Sequence, residues 1–389
     1  ILDTIKDINI KGRAQLTLSI AISNEGETDK EKYQSALNTM DVVLGRGGDQ
    51  AAIRQNGKYQ FFGGRVEEVE KRTKVKARIV AHALEELIQE NDQVMIMGHV
   101  NADIDALGSA IGMYRLATNL GKPSYIVANT NTMALGNIQK SLDEDEEYKD
   151  VIINKEVAEE KITPKTLLIV VDTHKTSYVE APELLEKTNQ IAIIDHHRRS
   201  PDFITKSILT FHEVYASSAA ELVTELLQYT QVTTKLKKIE AEVLYAGIMM
   251  DTKNFTFKTG VRTFEAAAYL KRNGADLTKV RKMSRESMET YRIRAKAISE
   301  AEILYGRFAI ATLVGIGVDS PTVIGAQVAN ELLDIDGIEA SFVLTGVHER
   351  VYISARSIDE VNVQKIMEEF GGGGHLTVAG AQLVDVSLE

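Results

Sequence analysis

Aspartate and histidine side chains follow four apolar runs of this sequence, at the point where each run ends. The first run leads into the segment MGHVNADIDALGSA, and the later three lead into DTH, DHH and DTKNF. These segments contain His99, Asp103, Asp105, Asp172, His174, Asp195, His196, His197 and Asp251. A single Asp after a strand is usually a helix cap, and a single His is more often a hydrogen-bonded core residue than a ligand. The coincidence of four such segments instead favours one shared site.

Carboxylates brought together at one sheet edge would repel each other strongly. At an effective dielectric near 20, two carboxylates about 4 Å apart repel by about 4 kcal/mol, so a cluster of these aspartates needs cations. The sequence has no cysteine, which leaves oxygen and imidazole ligands of the kind that suit Mn²⁺, Mg²⁺ or Zn²⁺. Two such ions about 3.5 to 4 Å apart form a clamp for in-line displacement at phosphorus. We therefore expect metal-assisted hydrolysis of a phosphoester or phosphoanhydride.

Such a cluster needs a scaffold that brings the ends of several strands to one edge. Between Asp92 and about Lys282, short apolar runs alternate with helical patterns. This alternation is typical of βαβ units and of a largely parallel sheet covered on both faces, where ligands bind at the carboxyl ends of the strands. The predicted fold class is α/β: a parallel-sheet domain with the site, a smaller mixed α/β domain at the carboxy terminus, and a partial α/β unit in front.

Changes of pattern along the chain predict five segments. The first is a partial α/β unit, with a strand at Gln15–Ile22, a helix near Lys30–Val43 and a strand around Tyr59–Phe62. The second is an amphipathic helix that repeats an apolar residue at every fourth position from Val75 to Leu87. The predicted bounds are 1–70 for the partial unit, 71–91 for the connector helix, 92–283 for the metal-site domain, 284–305 for a helical linker and 306–389 for the last domain.

Composition and charge limit the possible partners. Of the 389 residues, 44% are hydrophobic and 26% are charged, as expected for folded domains. The net charge of −11 has the wrong sign for a protein that depends on neutralising nucleic-acid phosphates, so we expect no long DNA or RNA as a partner. The sequence contains no apolar stretch of about 18 residues, the length needed to span a membrane. Because it starts abruptly at Ile1 without Met, we expect it to be part of a longer protein.

The order of the motifs resembles the Asp-His-His (DHH) phosphoesterase superfamily with its associated carboxy-terminal domain. His-x3-Asp-x-Asp, Asp-Thr-His, Asp-His-His and a late Asp precede the run Gly-Gly-Gly-Gly-His, and together they cover roughly residues 92 to 385. At the amino terminus, QLTLSIAISNEGETDKEKYQSALNTMDVVLGRGGDQ is similar to the end of a degenerate diguanylate-cyclase (GGDEF-like) domain. Gly47-Gly48-Asp49 follows the last helix of that remnant, and we interpret it as a turn without cyclase activity. The fusion resembles membrane-anchored cyclic di-AMP phosphodiesterases.

This resemblance implies a manganese-dependent phosphodiesterase that hydrolyses cyclic di-AMP to linear pApA, with a water activated by two Mn²⁺ ions as the nucleophile. The ligands it implies for one ion are His99, Asp103 and Asp172. The ligands it implies for the other ion are Asp105, Asp172, His196 and Asp251, so that Asp172 bridges the two. His197 is expected to donate a hydrogen bond to a phosphate oxygen or to protonate the leaving oxygen, and Asp195 to orient His196 or a neighbouring loop.

The last domain is expected to bind the substrate. The glycine run, Gly371, Gly372, Gly373 and Gly374, would let the backbone approach a phosphate or base, with His375 as a polar contact. An isolated glycine run after a helix is more often only the end of that helix. Arg356 is the basic side chain that the pattern places to meet a phosphate. Ser217 and Ser218 precede a helix, and we expect them to cap it.

Two other functions fit the same residues. One is an oligoribonuclease or single-strand exonuclease with the same metal site, and the other is a catalytically silent nucleotide-sensing regulator. No residue of the sequence is identified as a base reader, so cyclic di-AMP and cyclic di-GMP both fit the pattern. The resemblance further implies a homodimer, a cytoplasmic location for this region, and upstream sensor and membrane domains that anchor the full-length protein.

Overall fold

The computed structural model of the chain describes residues 18–45, 50–55, 58–63, 74–129, 135–200, 202–232, 234–283, 285, 287–315, 320–358, 361–374, 376–384, 386 and 388. The chain forms two compact units, Ile1–Ser284 and Arg285–Glu389. The predicted turn Gly47-Gly48-Asp49 and the predicted substrate contact His375 lie outside the described residues. Within the described ranges, none of the helices combines the length and the apolar character needed to cross a membrane.

The first unit begins with a small three-stranded sheet in the order β1-β2-β3. Its elements are β1 (Ile20–Ser23), helix α1 (Asp29–Gly45), β2 (Gln50–Gln55) and β3 (Lys58–Gly63). β1 pairs with β2 in parallel, and β2 forms an antiparallel hairpin with β3. The predicted helix and the third strand are confirmed. β2 was not predicted, because QAAIRQ lacks the regular alternation and the β-branched residues that indicate a strand.

The connector helix α2 (Lys74–Glu90) forms where it was predicted, but its buried face is a different one. Val75 is 73% exposed and Ile79 is 65% exposed. The helix instead buries Ala77, Val80, Ala81, Leu84 and Ile88. Four residues turn a helix by about 400°, so a strict i, i+4 series drifts by about 40° at each step, whereas mixed spacings of three and four follow one face. The apolar series therefore crosses the helix surface obliquely: it is exposed at Val75 and Ile79 and meets the core only at Leu87, which is partly buried against it.

The centre of the first unit is a six-stranded sheet in the order β6-β5-β4-β7-β8-β9, with every pair parallel. The strands are β4 (Gln93–Met97), β5 (Ser124–Val127), β6 (Ile152–Ile153), β7 (Thr166–Val171), β8 (Ile191–Asp195) and β9 (Leu209–His212). All six residues of β7 are buried, as expected for a strand covered on both faces. The predicted parallel sheet is confirmed. The strand order reverses between β4 and β7, which is where open α/β sheets bind ligands.

Helices cover this sheet and bring its site residues together. They are α3 (Ile104–Asn119), α4 (Gly136–Asp143), α5 (Lys155–Lys161), α6 (Ala219–Tyr229), α7 (Lys238–Asp251), α8 (Val261–Arg272) and α9 (Leu277–Met283). Helix α3 packs closely against α6 and α7 because two of its residues lack side chains. A Cβ atom on Gly112 would lie 2.5 Å from Val223 Cγ1, and one on Gly108 would lie 2.9 Å from the carbonyl oxygen of Val243. Glycine is therefore required for this close packing.

The second unit is a separate mixed sheet with helices. Its elements are α10 (Met288–Ser299), β10 (Glu302–Leu304), β11 (Phe308–Val314), α11 (Pro321–Leu332), β12 (Ala340–Val347), β13 (Arg350–Ser357), α12 (Val363–Glu369), β14 (Gly373–Gly374) and β15 (Val378–Val384). The strand order is β10-β11-β12-β13-β15-β14, with only the β11–β12 pair parallel among the described pairs. The mixed α/β class predicted for the carboxy-terminal domain is confirmed.

Candidate metal centre

His99 follows strand β4, and its ring is fixed at two places. Its Nδ1–H donates to the carbonyl oxygen of Val100 at 2.9 Å, and the ring of Tyr178 stacks on it with centroids 5.2 Å apart. The other ring nitrogen, Nε2, therefore faces two carboxylates. It lies 3.5 Å from Asp172 Oδ2 and 3.8 Å from Asp103 Oδ2. This is how a histidine ligand is usually held, with one nitrogen hydrogen-bonded and the other turned to the metal.

Asp103 and Asp105 lie at the start of helix α3 and have different partners. Asp103 caps the helix, because its Oδ1 accepts a hydrogen bond from the backbone N–H of Ala106 at 3.0 Å. Asp105 is buried, and its two oxygens accept from the N–H groups of Ala219 and Ala220, both at 2.8 Å. These N–H groups are the positive end of helix α6, which stabilises a carboxylate. The cap and the helix end fix both side chains in place.

Asp172 directly follows strand β7 and connects the two halves of the site. Its backbone φ is 58°, in the left-handed region that Asp adopts more readily than most residues. Its Oδ2 faces His99, whereas its Oδ1 lies 3.3 Å from Nε2 of His196. Burial alone would raise the pKa of Asp172, but contacts with His196 and His99 outweigh this effect and lower it to about 2. One ionised carboxylate thus presents an oxygen to each histidine.

His196 is buried among carboxylates on the other side of Asp172. Its Nε2 lies 3.4 Å from Oδ2 of Asp251, the last residue of helix α7, and 3.9 Å from Oδ2 of Asp105. Within the described part of the chain, three buried atoms here make no hydrogen bond: the two ring nitrogens of His196 and Oδ1 of Asp172. An unsatisfied buried polar atom costs about 1–3 kcal/mol. Coordination to a cation would satisfy these atoms.

The six predicted metal ligands converge as two sets. One set is His99, Asp103 and Asp172, and the other is Asp105, His196 and Asp251. Within each set the potential ligand atoms lie within 4.8 Å of one another, and Asp172 extends its second oxygen toward the second set. Carboxylate and imidazole donors of this kind suit Mn²⁺, Mg²⁺ or Zn²⁺. The residues therefore fit a centre for two divalent ions.

Protonation of the site also indicates that positive charge is needed there. Burial, followed by the charges of Asp172 and Asp251, raises the pKa of Asp105 well above its ordinary value. Burial also raises the pKa of Asp251 to about 7, against the opposing effect of His196. Burial alone would lower the pKa values of His99 and His196, but the neighbouring carboxylates raise them to about 11 and about 10. The residues hold protons that divalent cations would replace.

Asp195, at the end of strand β8, is fully buried and orients His197. Its Oδ1 accepts hydrogen bonds from Nδ1–H of His197 at 2.9 Å and from the backbone N–H of His197 at 3.3 Å. Its Oδ2 accepts from Nδ1–H of His174. Burial alone would raise the pKa of Asp195, but these histidines lower it well below its usual range. The described side-chain contacts of Asp195 thus go to His197, His174 and His212, not to His196.

A cavity of about 280 Å³ opens beside the ligands. It is lined by His99, Asp103, Asp172, Thr173, His174, Lys175, Tyr178, His197 and Asp251. The sequence analysis predicted no role for His174 or Tyr178. It also placed His212 outside the site, although His212 contacts the backbone of His197. A signal for His212 was present, because this residue ends the short apolar run LTFH in the same way that other site residues end theirs.

The glycine run in the second unit has a structural reason of its own. Gly371, at φ 73°, ends helix α12, and its N–H donates to the carbonyl of Glu368 at 3.0 Å. The next residue, Gly372, donates to the carbonyl of Met367 at 2.8 Å. A Cβ atom on Gly372 would lie 2.2 Å from the carbonyl oxygen of Gly380 on β15. Glycines here end the helix and let the chain approach the neighbouring strand.

Arg356 and the predicted serine caps have clear local contacts. Arg356 is half-buried on β13, its guanidinium donates to the carbonyl of Ala355 at 2.9 Å, and burial lowers its pKa. Among the residues that the structure describes, no carboxylate forms an ion pair with Arg356. Ser218 caps helix α6 through the N–H of Glu221 at 3.0 Å, and Ser217 donates to the Glu221 carboxylate at 2.6 Å. The predicted capping is confirmed for Ser218.

Comparison with known protein families matches three parts of the chain. The DHH family, N-terminal domain, matches residues 93–248, which include most of the metal centre. The DHHA1 domain matches residues 307–388. The GGDEF domain of the family described as cyclic-di-AMP phosphodiesterase GdpP-like matches residues 1–61.

The chain is also similar along its whole length to curated proteins. It is 43% identical over 396 residues to the cyclic-di-AMP phosphodiesterase PdeA of Listeria monocytogenes and 47% identical over 393 residues to the cyclic-di-AMP phosphodiesterase GdpP of Geobacillus thermodenitrificans, and it spans 60% and 59% of their lengths. A solved exopolyphosphatase-related protein of Bacteroides fragilis shares the fold, with a TM-score of 0.67 at 21% identity over 83% of this chain and 94% of that one. Residues 93–248, which hold most of the candidate metal centre, therefore belong to the DHH family, with a DHHA1 domain after them and a GdpP-like GGDEF segment before them.

Proposed function

We propose that this chain is a manganese-dependent phosphodiesterase that hydrolyses cyclic di-AMP to linear pApA. The observation that carries this proposal is the convergence of two ligand sets on Asp172, beside a cavity lined by His197. Paired divalent ions suit hydrolysis at phosphorus. The substrate is inferred from the two relatives named cyclic-di-AMP phosphodiesterases, with 43% and 47% identity.

The chain's own residues would hold two Mn²⁺ ions, one at His99, Asp103 and Asp172 and the other at Asp105, Asp172, His196 and Asp251. When bound, the ions would activate the attacking water and neutralise charge on the phosphate. The hydrogen bond from His99 to the Val100 carbonyl fixes the tautomer of that ligand. The left-handed backbone at Asp172 lets one carboxylate serve both sets. Among the described residues the ring nitrogens of His196 make no hydrogen bond, and Nε2 lies close to three carboxylates, which supports its role as a ligand.

His197 is proposed to protonate the leaving group. Asp195 accepts the hydrogen bond from Nδ1, so Nε2 remains as the acid that faces the cavity. As water forms the new bond to phosphorus, the bond from phosphorus to the 3′ oxygen breaks, and Nε2 supplies the proton that this oxygen takes up. The attacking water loses a proton to solvent, and solvent returns a proton to Nε2 of His197. The reaction therefore causes no net change in the protonation of the protein. Hydrolysis of one ester bond of the cyclic dinucleotide gives a linear dinucleotide with a 5′ phosphate.

The remaining proposals concern substrate binding and assembly. We propose that residues 92–283 carry the chemistry and that residues 306–389 hold the substrate through Arg356, the glycine run and His375. Among the described residues Arg356 forms no ion pair with a carboxylate and donates only to the carbonyl of Ala355, which supports a phosphate contact. We further propose a homodimer, located on the cytoplasmic side of a full-length protein anchored to the membrane. The greater length of the matched relatives and the GdpP-like GGDEF segment support only the part of this proposal that concerns a longer protein, and the homodimer and the membrane anchor rest on the family resemblance.

One experiment tests the activity directly. The purified chain is incubated with Mn²⁺ and, separately, with cyclic di-AMP, cyclic di-GMP, pApA and pyrophosphate, and the products are resolved by chromatography. We expect cyclic di-AMP to give pApA with the highest efficiency. The matched control is Asp172→Asn, which tolerates the left-handed backbone but loses a negative ligand. Absence of turnover by the wild type, or faster turnover of pyrophosphate, would contradict the proposal.

A further inference from the structure

His212 ends the edge strand β9, and it lies beside Asp195 in the parallel pairing with β8. Its Nε2–H donates a hydrogen bond to the backbone carbonyl of His197 and lies 3.9 Å from Oδ2 of Asp195. Its ring meets the ring of His174 edge-on, with centroids 5.4 Å apart at 69°. The side chain is only 13% exposed. The contacts described for His212 all go to residues outside the two ligand sets.

These residues hold the loop that carries His197 at three points. Asp195 accepts the backbone N–H and the ring Nδ1–H of His197. His212 binds the carbonyl on the other side of the same residue. His174 accepts the backbone N–H of Ser200 at Nε2, 2.9 Å away, and directs Nδ1–H to Asp195. The hydrogen bonds therefore fix the His174 tautomer, and they fix the backbone on both sides of His197.

A cation in this cluster would be an alternative explanation of these contacts. His174, Asp195 and His212 present atoms close enough together to bind a metal ion. However, both ring nitrogens of His174 already have partners, and Nε2 of His212 already has the His197 carbonyl. A cation would have to break these hydrogen bonds. The cluster is therefore better explained as a hydrogen-bonded support for the loop.

The need for such a support follows from the exposure of His197. Its side chain is 55% exposed at the edge of the cavity, so the cavity wall alone does not restrain it. We propose that His212 is a positioning residue, which acts through the backbone carbonyl of His197 to keep the His197 ring aimed at the leaving oxygen. This inference rests on the proposed function, because it takes His197 to be the group that protonates that oxygen.

The test compares two His212 variants on two substrates. His212→Phe keeps a planar ring but has no N–H donor, whereas His212→Gln keeps a donor. Cyclic di-AMP has an alkoxide leaving group that needs a proton, and bis(p-nitrophenyl) phosphate has a leaving group that departs without one. We expect His212→Phe to lower kcat for cyclic di-AMP by about 10- to 100-fold, the size of effect that follows a small misplacement of a reacting group. KM, Mn²⁺ content and turnover of the nitrophenyl ester should stay near wild type, and His212→Gln should recover most of the loss.

The controls separate this role from a purely structural one. His348→Asn removes an exposed imidazole from the second unit, at a position with φ 53° that Asn tolerates, and should match the wild type on both substrates. Equal losses on the two substrates, loss of Mn²⁺, or wild-type kinetics of a folded His212→Phe would each overturn the proposal.

If His212→Phe does not fold, His212→Asn replaces it, because its shorter amide does not reach the carbonyl that Gln reaches. Turnover of cyclic di-AMP by the wild type is measured first, and its absence would contradict the proposed function but not the role of His212. In that case the variants are compared on an alkyl phosphodiester that the wild type does cleave.

Discussion

Gly247 lies one turn before Asp251 on helix α7 and directly against Asp105, which belongs to the same set of proposed ligands. A Cβ atom at this position would lie 3.0 Å from both Cα and Oδ1 of Asp105 and 3.1 Å from Cβ of Ala220. The Asp105 oxygen is not free to swing away, because it accepts the N–H of Ala220 at 2.8 Å. We predict that Gly247→Ala moves the Asp105 carboxylate and weakens one metal site without replacing any ligand.

The size of the effect follows from these distances. Non-bonded carbon atoms prefer separations of about 3.5–4.0 Å, so the new methyl group requires a shift of about 0.5 Å. Overpacking of this kind costs about 1–3 kcal/mol, and replacing Gly by Ala in a helix returns about 1 kcal/mol. The net loss of unfolding free energy is then about 0–2 kcal/mol, and the fold survives. Disturbing the orientation of a ligand lowers metal affinity by about 10- to 100-fold.

The assay is calorimetric titration of Mn²⁺ into the metal-free protein, together with the Mn²⁺ dependence of kcat. The matched control is Gly112→Ala, whose Cβ would lie 2.5 Å from Val223 Cγ1, in the same helix packing but two turns from Asp105. This control should lower Tm while keeping both Mn²⁺ affinities. The reasoning is refuted if Gly247→Ala binds both ions as the wild type does, or if Gly112→Ala loses as much affinity.

Three further predictions concern the ligands, the pH dependence and the substrate. Asp172→Ala should abolish activity and lower metal content at both sites, whereas His196→Ala should mainly weaken one, and metal analysis of folded variants distinguishes these outcomes. In the metal-free protein the pKa values of His99 and His196 are raised to about 11 and about 10, so the folded state holds more protons than the unfolded chain above about pH 6.5. Their contribution to stability is complete below that pH and is lost as the pH rises through the raised values. The Tm gain from Mn²⁺ should thus be larger at about pH 8.5 than at about pH 6, and equal gains at both would contradict this. Residues 301–389 contain four basic and thirteen acidic residues, a net charge of −9, so cleavage efficiency should fall steeply from dinucleotides to single strands of about 10 nucleotides. Processive degradation of long single-stranded RNA or DNA would instead support the exonuclease alternative.

The clustering of the proposed ligands could be predicted from sequence because each of these residues needs only local information to be placed. His99, Asp172 and His196 follow apolar strands, and the carboxyl ends of parallel strands meet at one edge of a sheet. Asp251 was marked by the end of the apolar stretch before it, which the structure shows to be a helix, α7. Knowing the strand order in detail was therefore unnecessary.

The hydrogen bonds around His197 could not be predicted in this way, because they depend on register. His212 meets Asp195 only because β9 pairs with β8 in one particular alignment across a long connection. The four residues of β9 give too weak a pattern to fix such an alignment. The buried face of the connector helix was missed for a different reason, since an apolar series at strict i, i+4 spacing does not stay on one face and here reaches the core only at its end, at Leu87. Sequence patterns predicted elements here more reliably than they predicted which neighbours those elements contact.

The left-handed backbone at Asp172 limits which residues can replace it. A library of all substitutions at this position, scored separately for protein abundance and for catalysis, would show this limit. Asn and Gly adopt positive φ at little cost, so these two replacements should accumulate to normal levels while remaining inactive. Val, Ile and Thr branch at Cβ and strain the same turn, so they should be depleted from the abundant fraction as well. At this codon, the two scores would therefore separate the requirement for the ligand from the requirement for the turn.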